Sequence, residues 1–309
     1  MPELPEVETV RAGLATALTN SIITAIDIHD ARSLKRHPGG PEDFRATLLG
    51  AKILGVVRRG KFLWYPLEIS GDSKHKLALV GHLGMSGQML LRTPGFSDDK
   101  LTRIVIHVTT EDGEPYEFRF IDQRLFGSLA IDELVETPDG KPGGFSAGVA
   151  EGTWWQNLIP AQAAHITRDP LDPDFDDVAL FQKLGKKQSG IKRVLLDQQT
   201  VSGIGNIYAD ESLWQAKLHY DQPAASIKPA KAKELLGYIR EILQKAVAEG
   251  GTSFDEQYKN VNGESGYFAV SLNAYGMTGN PCKRCGTPIK RESWMNRGSH
   301  FCPKCQKLH

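Results

Sequence analysis

The first 281 residues of this 309-residue chain contain no cysteine. A disulfide-stapled secreted fold is therefore excluded for most of its length. No run of about 18 apolar residues occurs, which argues against a helical membrane span. The acidic start, Met1-Pro2-Glu3-Leu4-Pro5-Glu6-Val7-Glu8, lacks the basic n-region and apolar core of a secretory signal, so a cytoplasmic location is expected. Net charge is also missing: 37 Lys+Arg balance 37 Asp+Glu. With 24% charged and 40% hydrophobic residues, the usage is ordinary and globular, which excludes disordered and collagen-like chains. The length suggests about two domains.

Zero net charge does not exclude a polyanionic partner, because the distribution matters more than the sum. Residues 132–178 hold ten acids and two bases; 178–196 hold five bases and no acid; 274–309 hold seven bases and one acid. A basic face on a neutral body is expected, with solvated surface as the bland alternative for any single run.

All four cysteines, Cys282, Cys285, Cys302 and Cys305, fall in the last 28 residues as C-x2-C-x16-C-x2-C. This is the spacing of two knuckles closing on one tetrahedral zinc. The alternative, two disulfides in a stapled tail, fits poorly with a cytoplasmic chain. Four thiolates and Zn²⁺ carry about −2 together, so the segment stays basic. Arg297, Gly298 and Ser299 lie between the knuckles, where a two-stranded ribbon would turn and offer a cation to a phosphate backbone.

The hydrophobic pattern predicts an amphipathic helix over 3–18, with Val7, Val10, Leu14 and Leu18 on one stripe. Short strands are predicted at 22–28, 52–57, 61–66, 76–83, 88–91, 103–109, 116–120 and 127–131, which suggests a sandwich or barrel. Gly/Pro-rich residues 138–152 read as a linker. Helices are predicted at 178–186, 191–197, 206–215 and 229–248, the last stopped by Gly250-Gly251.

The opening Pro2–Glu8 motif resembles the signature of the bacterial formamidopyrimidine-DNA glycosylases, the Fpg/Nei family. Further matches follow in the family order. They are Arg59-Gly60-Lys61, His82-Leu83-Gly84-Met85-Ser86-Gly87, Asp122-Gln123-Arg124-Leu125-Phe126-Gly127, Gly203-Ile204-Gly205-Asn206-Ile207-Tyr208-Ala209, Ser265-Gly266-Tyr267-Phe268 and the four cysteines. The resemblance covers essentially the whole chain. It implies an α+β, multi-domain fold: an N-terminal β-sandwich with an N-terminal helix (1–137), a linker (138–160), a helical helix-two-turn-helix domain (161–273) and a four-cysteine zinc finger (274–309). It also implies base-excision repair of oxidised purines (8-oxoguanine, formamidopyrimidines) with abasic-site lyase activity by β,δ-elimination. The alternatives are an endonuclease VIII-like glycosylase for oxidised pyrimidines and a non-catalytic damage-binding zinc protein. The expected partner is damaged double-stranded DNA, bound by a monomer that holds one structural Zn²⁺ and no small-molecule cofactor.

Removal of Met1 would free the secondary amine of Pro2. An α-amino group titrates near about 7.7–8.0, so a sizeable neutral fraction exists at neutral pH. That amine can attack an anomeric carbon and become an iminium ion. By resemblance Glu3 handles protons, Lys61 contacts the phosphate beside the lesion and supports elimination, and Arg297 clamps the flanking phosphates. Glu6 reads as proton relay or helix support. His82 and Asn206 match phosphate-binding positions, and Lys192 is a further phosphate candidate. Met85, Arg124 and Phe126 match the residues that fill the gap left by a flipped nucleotide. Leu125 replaces a residue often basic in relatives, and Met277 stands where relatives often carry Arg. The stretch 263–268 resembles a loop covering the extruded purine.

Overall fold

The computed structural model describes residues 2–97, 99–147, 150, 152–252 and 271–309. They form two units: the described residues up to His165, together with Thr252, and a second unit made of Ile166–Gly251 and 271–309.

The first unit opens with α1 (Leu4–Leu18), whose residues Leu4, Val7, Val10, Leu14 and Leu18 bury one stripe at helical spacing. Glu3 caps it: Glu3 and Glu6 form a reciprocal capping box, with the Glu3 amide donating to Glu6 Oε2 at 2.8 Å. The strands that follow are β1 (Ile22–Ile28), β2 (Lys52–Ile53), β3 (Val57–Arg59), β4 (Phe62–Ile69), β5 (Asp72–His82), β6 (Gly87–Arg92), β7 (Thr102–Thr109), β8 (Pro115–Asp122), β9 (Ser128–Glu136) and β10 (Leu158–Pro160). They hydrogen-bond in the order β10-β9-β5-β4-β2-β1-β7-β8-β6, with β3 also on β4, and every recorded pairing is antiparallel. Three strands separate β4 from β8, yet Tyr65 of β4 meets Phe118 of β8 with ring centroids 5.5 Å apart and donates to Met89 Sδ of β6. The sheet therefore folds over on itself, and its two halves share one core as a sandwich.

The predicted strand at 52–57 divides into β2 and β3. Both pair with β4, either side of Pro66, which has no N–H to give, although its carbonyl accepts from the Leu54 amide at 2.8 Å. A helix, α2 (Gly40–Leu48), went unpredicted because Gly39-Gly40-Pro41 reads as a turn; Phe44 and Leu48, one turn apart, are its buried face. The described residues of 138–160, expected as a linker, are part of the first unit. Phe145 exchanges two backbone hydrogen bonds with Arg58, and Leu158–Pro160 pairs with β9 from Pro160↔Leu134 to Leu158↔Glu136.

The second unit contains α3 (Asp177–Lys186), α4 (Ile191–Leu195), α5 (Asn206–Gln215), α6 (Pro229–Ala248) and the ribbon β11 (Lys290–Trp294)–β12 (Arg297–Phe301). Helix α5 is buried from Ile207 to Trp214, its acids Asp210 and Glu211 included. The ribbon turns at Met295 and Asn296, both in the left-handed region, so Arg297 opens the returning strand rather than sitting at the turn. Among the described residues no helix is long and apolar enough to cross a membrane.

Candidate active site and nucleic-acid interface

The chain start is held, not loose. Pro2 and Glu3 are buried ahead of α1. Glu6 supports them: Oε2 accepts the Glu3 amide, and Oε1 accepts the Thr252 amide at 2.7 Å and its hydroxyl at 2.9 Å. Of its two expected roles, this geometry supports the helix start. Two residues on, Glu8 accepts from Arg11 at 2.9 Å and from Arg58 Nε at 2.7 Å, and Arg58 also donates to the Gly60 carbonyl at 3.2 Å. All three charged side chains are nearly buried. A buried, hydrogen-bonded pair fixes geometry even where its net stabilisation is small. It ties α1 to the β3–β4 turn, whose first residue, Gly60, has φ +56° and whose second is Lys61. The nucleophile candidate, the acid candidate and Lys61 thus stand on one braced framework.

His82 ends β5 opposite Phe62, with the rings 4.8 Å apart. Burial first, then the nearby charges of Arg36, Lys61 and Lys35, push its pKa down to about 4. The Gly84 amide donates to its Nδ1 at 3.1 Å, so the neutral ring carries its proton on Nε2. His82 can therefore give a hydrogen bond near neutral pH but no charge. As pH falls through 6.5 the unfolded chain takes up this proton before the folded one does. Stability is therefore withdrawn between about pH 6.5 and about 4, and not near pH 7. Lys35 and Arg36, both exposed, supply the positive field, and sequence reasoning missed them. Adjacent cations ahead of a buried His were the available signal.

Two loops carry the apolar candidates. Met85 lies on the β5–β6 loop and Phe126 on the β8–β9 loop, 42% and 48% exposed. Such exposure in apolar side chains excludes simple core packing for either. Arg124 is exposed beside them, its guanidinium 4.9 Å from the Phe126 ring centroid. Leu125, at φ +55°, turns the loop, and its carbonyl accepts from Lys35 Nζ at 2.6 Å.

In the second unit Asn206 begins α5, after Gly205, with its backbone N–H groups at the helix N-terminus, an arrangement that suits an anion. Its side-chain amide donates to the Gly298 carbonyl at 3.1 Å. Lys192 departs from expectation. It is fully buried, pairs with Asp210 at 2.6 Å, donates to the Gly298 carbonyl at 3.1 Å and to Ser299 Oγ at 2.8 Å, and lies 5.1 Å from the Trp294 ring centroid. A cation so committed does not reach a phosphate; it fixes the ribbon that presents Arg297. Asp210 also accepts the His300 amide at 2.9 Å. Glu211, the next residue, accepts the amides of Asn273, Ala274 and Tyr275, and its burial raises its pKa. No role was expected of these acids; two adjacent acids next to the Gly203–Ala209 motif were the signal. A groove of about 740 Å³ between α4 and the ribbon carries Lys187, Arg193 and Arg297 against the single acid Asp197, which Lys187 pairs at 2.8 Å. Arg193 is a further exposed cation there.

The Sγ atoms of Cys282, Cys285, Cys302 and Cys305 all lie within 4.8 Å of one another, and Cys285 and Cys302 are 3.5 Å apart. Tetrahedral zinc with Zn–S near 2.3 Å requires sulfurs about 3.8 Å apart, so the set fits the ion. Met277 packs beside these cysteines, on a small core with Trp214 and Ile289. The loop 263–268 lies outside the described residues, as does Met1.

Comparison with known proteins agrees with this arrangement. Family models match in chain order: the formamidopyrimidine-DNA glycosylase N-terminal domain over residues 1–129, its H2TH domain over 166–257, and the zinc finger found in FPG and IleRS over 279–308. A formamidopyrimidine-DNA glycosylase of Leifsonia xyli is 54% identical, with 100% of each chain covered. One of Kineococcus radiotolerans is 48% identical, covering 100% of this chain and 98% of its own. Lactococcus lactis Fpg in complex with DNA containing an abasic site superposes with a TM-score of 0.78 at 30% identity, covering 99% of each chain. Its complex with DNA containing Fapy-dG gives 0.77 at 31% identity, covering 99% of this chain and 100% of that one.

Two outcomes follow for solution experiments. Metal analysis should find one zinc per chain, and Cys302→Ser should lose it, unfold the ribbon and weaken DNA binding, since such a module depends on its metal to fold. Intact protein with well under one zinc would contradict this. DNA affinity should fall linearly with salt on logarithmic axes. Arg297→Ala should flatten the slope by about 0.9, one phosphate's worth, whereas His82→Ala at neutral pH should weaken binding with the slope kept. A flattened slope in His82→Ala would mean that the imidazole is charged.

Proposed function

We propose a mechanism for this chain on the premise that it belongs to the formamidopyrimidine-DNA glycosylase family. It is a base-excision-repair glycosylase and abasic-site lyase that acts on oxidised purines in damaged double-stranded DNA and carries one structural zinc. In our reading it works as a monomer, in the bacterial cytoplasm at the nucleoid.

The residue roles rest on one observation above the others. The chain start that carries Pro2 and Glu3 is buried at the head of α1, and the Glu8–Arg58–Gly60 hydrogen bonds brace it to the turn that carries Lys61. Once Met1 is removed, the Pro2 nitrogen lone pair attacks C1′ of the flipped nucleotide. The C1′–base bond breaks, and the base leaves with the bonding pair and a proton. Glu3, next in sequence, donates a proton to the ring oxygen as C1′–O4′ opens, which leaves a protein–sugar iminium. The iminium withdraws electrons and acidifies the 2′ hydrogen. Loss of that proton expels the 3′ phosphate, and a second elimination expels the 5′ phosphate. Lys61 holds a phosphate beside the lesion, and its charge offsets the developing negative charge there. Met85 and Phe126 fill the vacated stack, and Arg124 faces the orphaned base. His82 donates a hydrogen bond, while Asn206 with the α5 N-terminus and Arg297 hold the backbone. The relatives' complexes with Fapy-dG favour purine over pyrimidine lesions. Pro2, Glu3 and Lys61 together argue against a purely binding role.

Borohydride should trap the processed chain on 8-oxoguanine DNA as a covalent adduct, and retention of Met1 or an added N-terminal residue should abolish it. Full-yield trapping by a chain with a blocked terminus would move the nucleophile elsewhere, with Lys61 the first suspect. Arg124→Ala should narrow the preference for cytosine over adenine opposite the lesion. Cytosine offers O2 and N3 acceptors to the donor-only guanidinium, and adenine sets an amino donor on that edge, a difference of about 1–3 kcal/mol. Single-turnover rates on both pairs measure this, and an unchanged preference would assign the opposite base to another residue.

A further inference from the structure

The two loops that carry Met85, Arg124 and Phe126 belong to separate crossovers of the sandwich. The β5–β6 loop leaves at His82 and returns at Gly87; the β8–β9 loop leaves at Asp122 and returns at Ser128. Strand pairing sets these ends side by side, Gly87 against Asp122 and His82 against Ser128. The loops then touch backbone to backbone. A Cβ on Gly84, which has φ +62°, would stand 2.5 Å from the Gly127 nitrogen, and one on Gly127 would stand 2.7 Å from the His82 carbonyl oxygen. No side chain fits between them.

One side chain joins both. Asp122 is 0% exposed. Its Oδ1 accepts the Ser86 hydroxyl at 2.6 Å and the Arg124 amide at 3.1 Å; its Oδ2 accepts the Gly127 amide at 2.7 Å. Ser86 Oγ in turn accepts the Arg124 amide at 3.1 Å, so Met85's neighbour and Arg124's own backbone share one hydrogen-bonded knot. The Arg124 and Gly127 amides bracket Leu125 and Phe126. From outside, Arg103 Nε holds the Asp122 carbonyl at 2.8 Å and Lys35 the Leu125 carbonyl. Only a group with acceptors on both ends of its fork satisfies these three donors.

We propose that Asp122 is a positioning residue that locks the two loops into one rigid wedge before DNA arrives, so that Met85, Arg124 and Phe126 enter the duplex at fixed separation. The proposal rests on the insertion roles assigned above. With the wedge preformed, base extrusion costs only deformation of the DNA and no ordering of the protein. Asp122→Asn replaces one acceptor with an amino donor. With the amino group toward Gly127 that N–H loses its acceptor; turned the other way, the Arg124 amide keeps only Ser86 Oγ and the Ser86 bond must reverse.

The test compares Asp122→Asn, Ser86→Ala and Arg124→Ala. It measures single-turnover excision of 8-oxoguanine opposite cytosine and opposite adenine, and borohydride trapping on a single-stranded abasic oligonucleotide, which has no stack to fill. Asp122→Asn should slow duplex excision by about tenfold or more, the scale of a small misplacement, and should narrow the cytosine preference toward that of Arg124→Ala. Its trapping on the single strand should stay essentially unchanged. Ser86→Ala, which removes one donor without exchanging the carboxylate, should shift the duplex results in the same direction and less. An equal loss in both assays for Asp122→Asn would make the residue merely structural and overturn the proposal. Unchanged duplex excision in both Asp122→Asn and Ser86→Ala, with Arg124→Ala impaired, would overturn it while leaving the insertion roles intact. If Arg124→Ala itself has no effect, the insertion reading fails and takes the proposal with it.

Discussion

A protein that grips a polyanion must hold cations outward against their mutual repulsion, and here that constraint is met by carboxylates set beneath the surface. Glu8 takes Arg11 and Arg58 under the β3–β4 turn, Asp122 gathers the two loops of the proposed wedge, Asp210 anchors Lys192 under the ribbon, and Glu211 accepts three successive amides at the entry to the zinc module. Each carboxylate is paired or multiply hydrogen-bonded, the condition under which a buried charge is tolerated. Arg124 and Arg297, both exposed, face solvent. At these places buried acids anchor the framework, and the buried cations Arg11, Arg58 and Lys192 are paired with them.

Two of the phosphate candidates changed role. Lys192 stands in none of the family motifs, only in the basic run of 178–196. What the pattern did not show is a partner 18 positions on: Asp210, one turn after Asn206 on the same buried helix, reaches back to Lys192. His82 changed for a different reason. Its surroundings are themselves cationic, so the electrostatics that attract a phosphate also keep the imidazole neutral. A donor without charge still orients a phosphate, but it releases no counterion.

Much of the fold was legible because the signals were local. Helices α5 and α6 start and stop where predicted, since Gly205 and the Lys228-Pro229 start and Gly250-Gly251 stop act within a turn of the residues they govern. The eight predicted strand segments all contain strand, because alternation and turn residues recur along them. The failures were non-local. The split between β2 and β3 depends on Pro66 across the sheet, and β10 is three residues that become a strand only because β9 offers an edge. At the candidate site, Pro2, Glu3, Lys61 and the cysteines were readable as types at fixed spacing. The residues that brace the surrounding framework, Arg58 at the β3–β4 turn, Asp122 at the two loops and Asp210 under the ribbon, look like any surface charge until burial is known.

Rigidity at the wedge and mobility in the substrate are complementary. Flipping a nucleotide out of a duplex costs a few kcal/mol, and every degree of freedom frozen in the protein at that moment adds to it. A loop pair already pinned by backbone contact at Gly84 and Gly127 and by the Asp122 carboxylate leaves only the DNA to deform. The damage site then contributes to its own selection, because a weakened stack or pair lowers the one cost that remains. In the proposed insertion Met85 keeps three rotatable bonds at the tip of this base, so it adapts to neighbouring bases while its anchor stays fixed. Arg124 has less latitude. Its backbone amide is tied to both Ser86 and Asp122, and its guanidinium lies against Phe126, so the donor fork arrives with a preset direction. Discrimination between opposite bases requires such a direction, since a freely swivelling donor would find an acceptor on any of them.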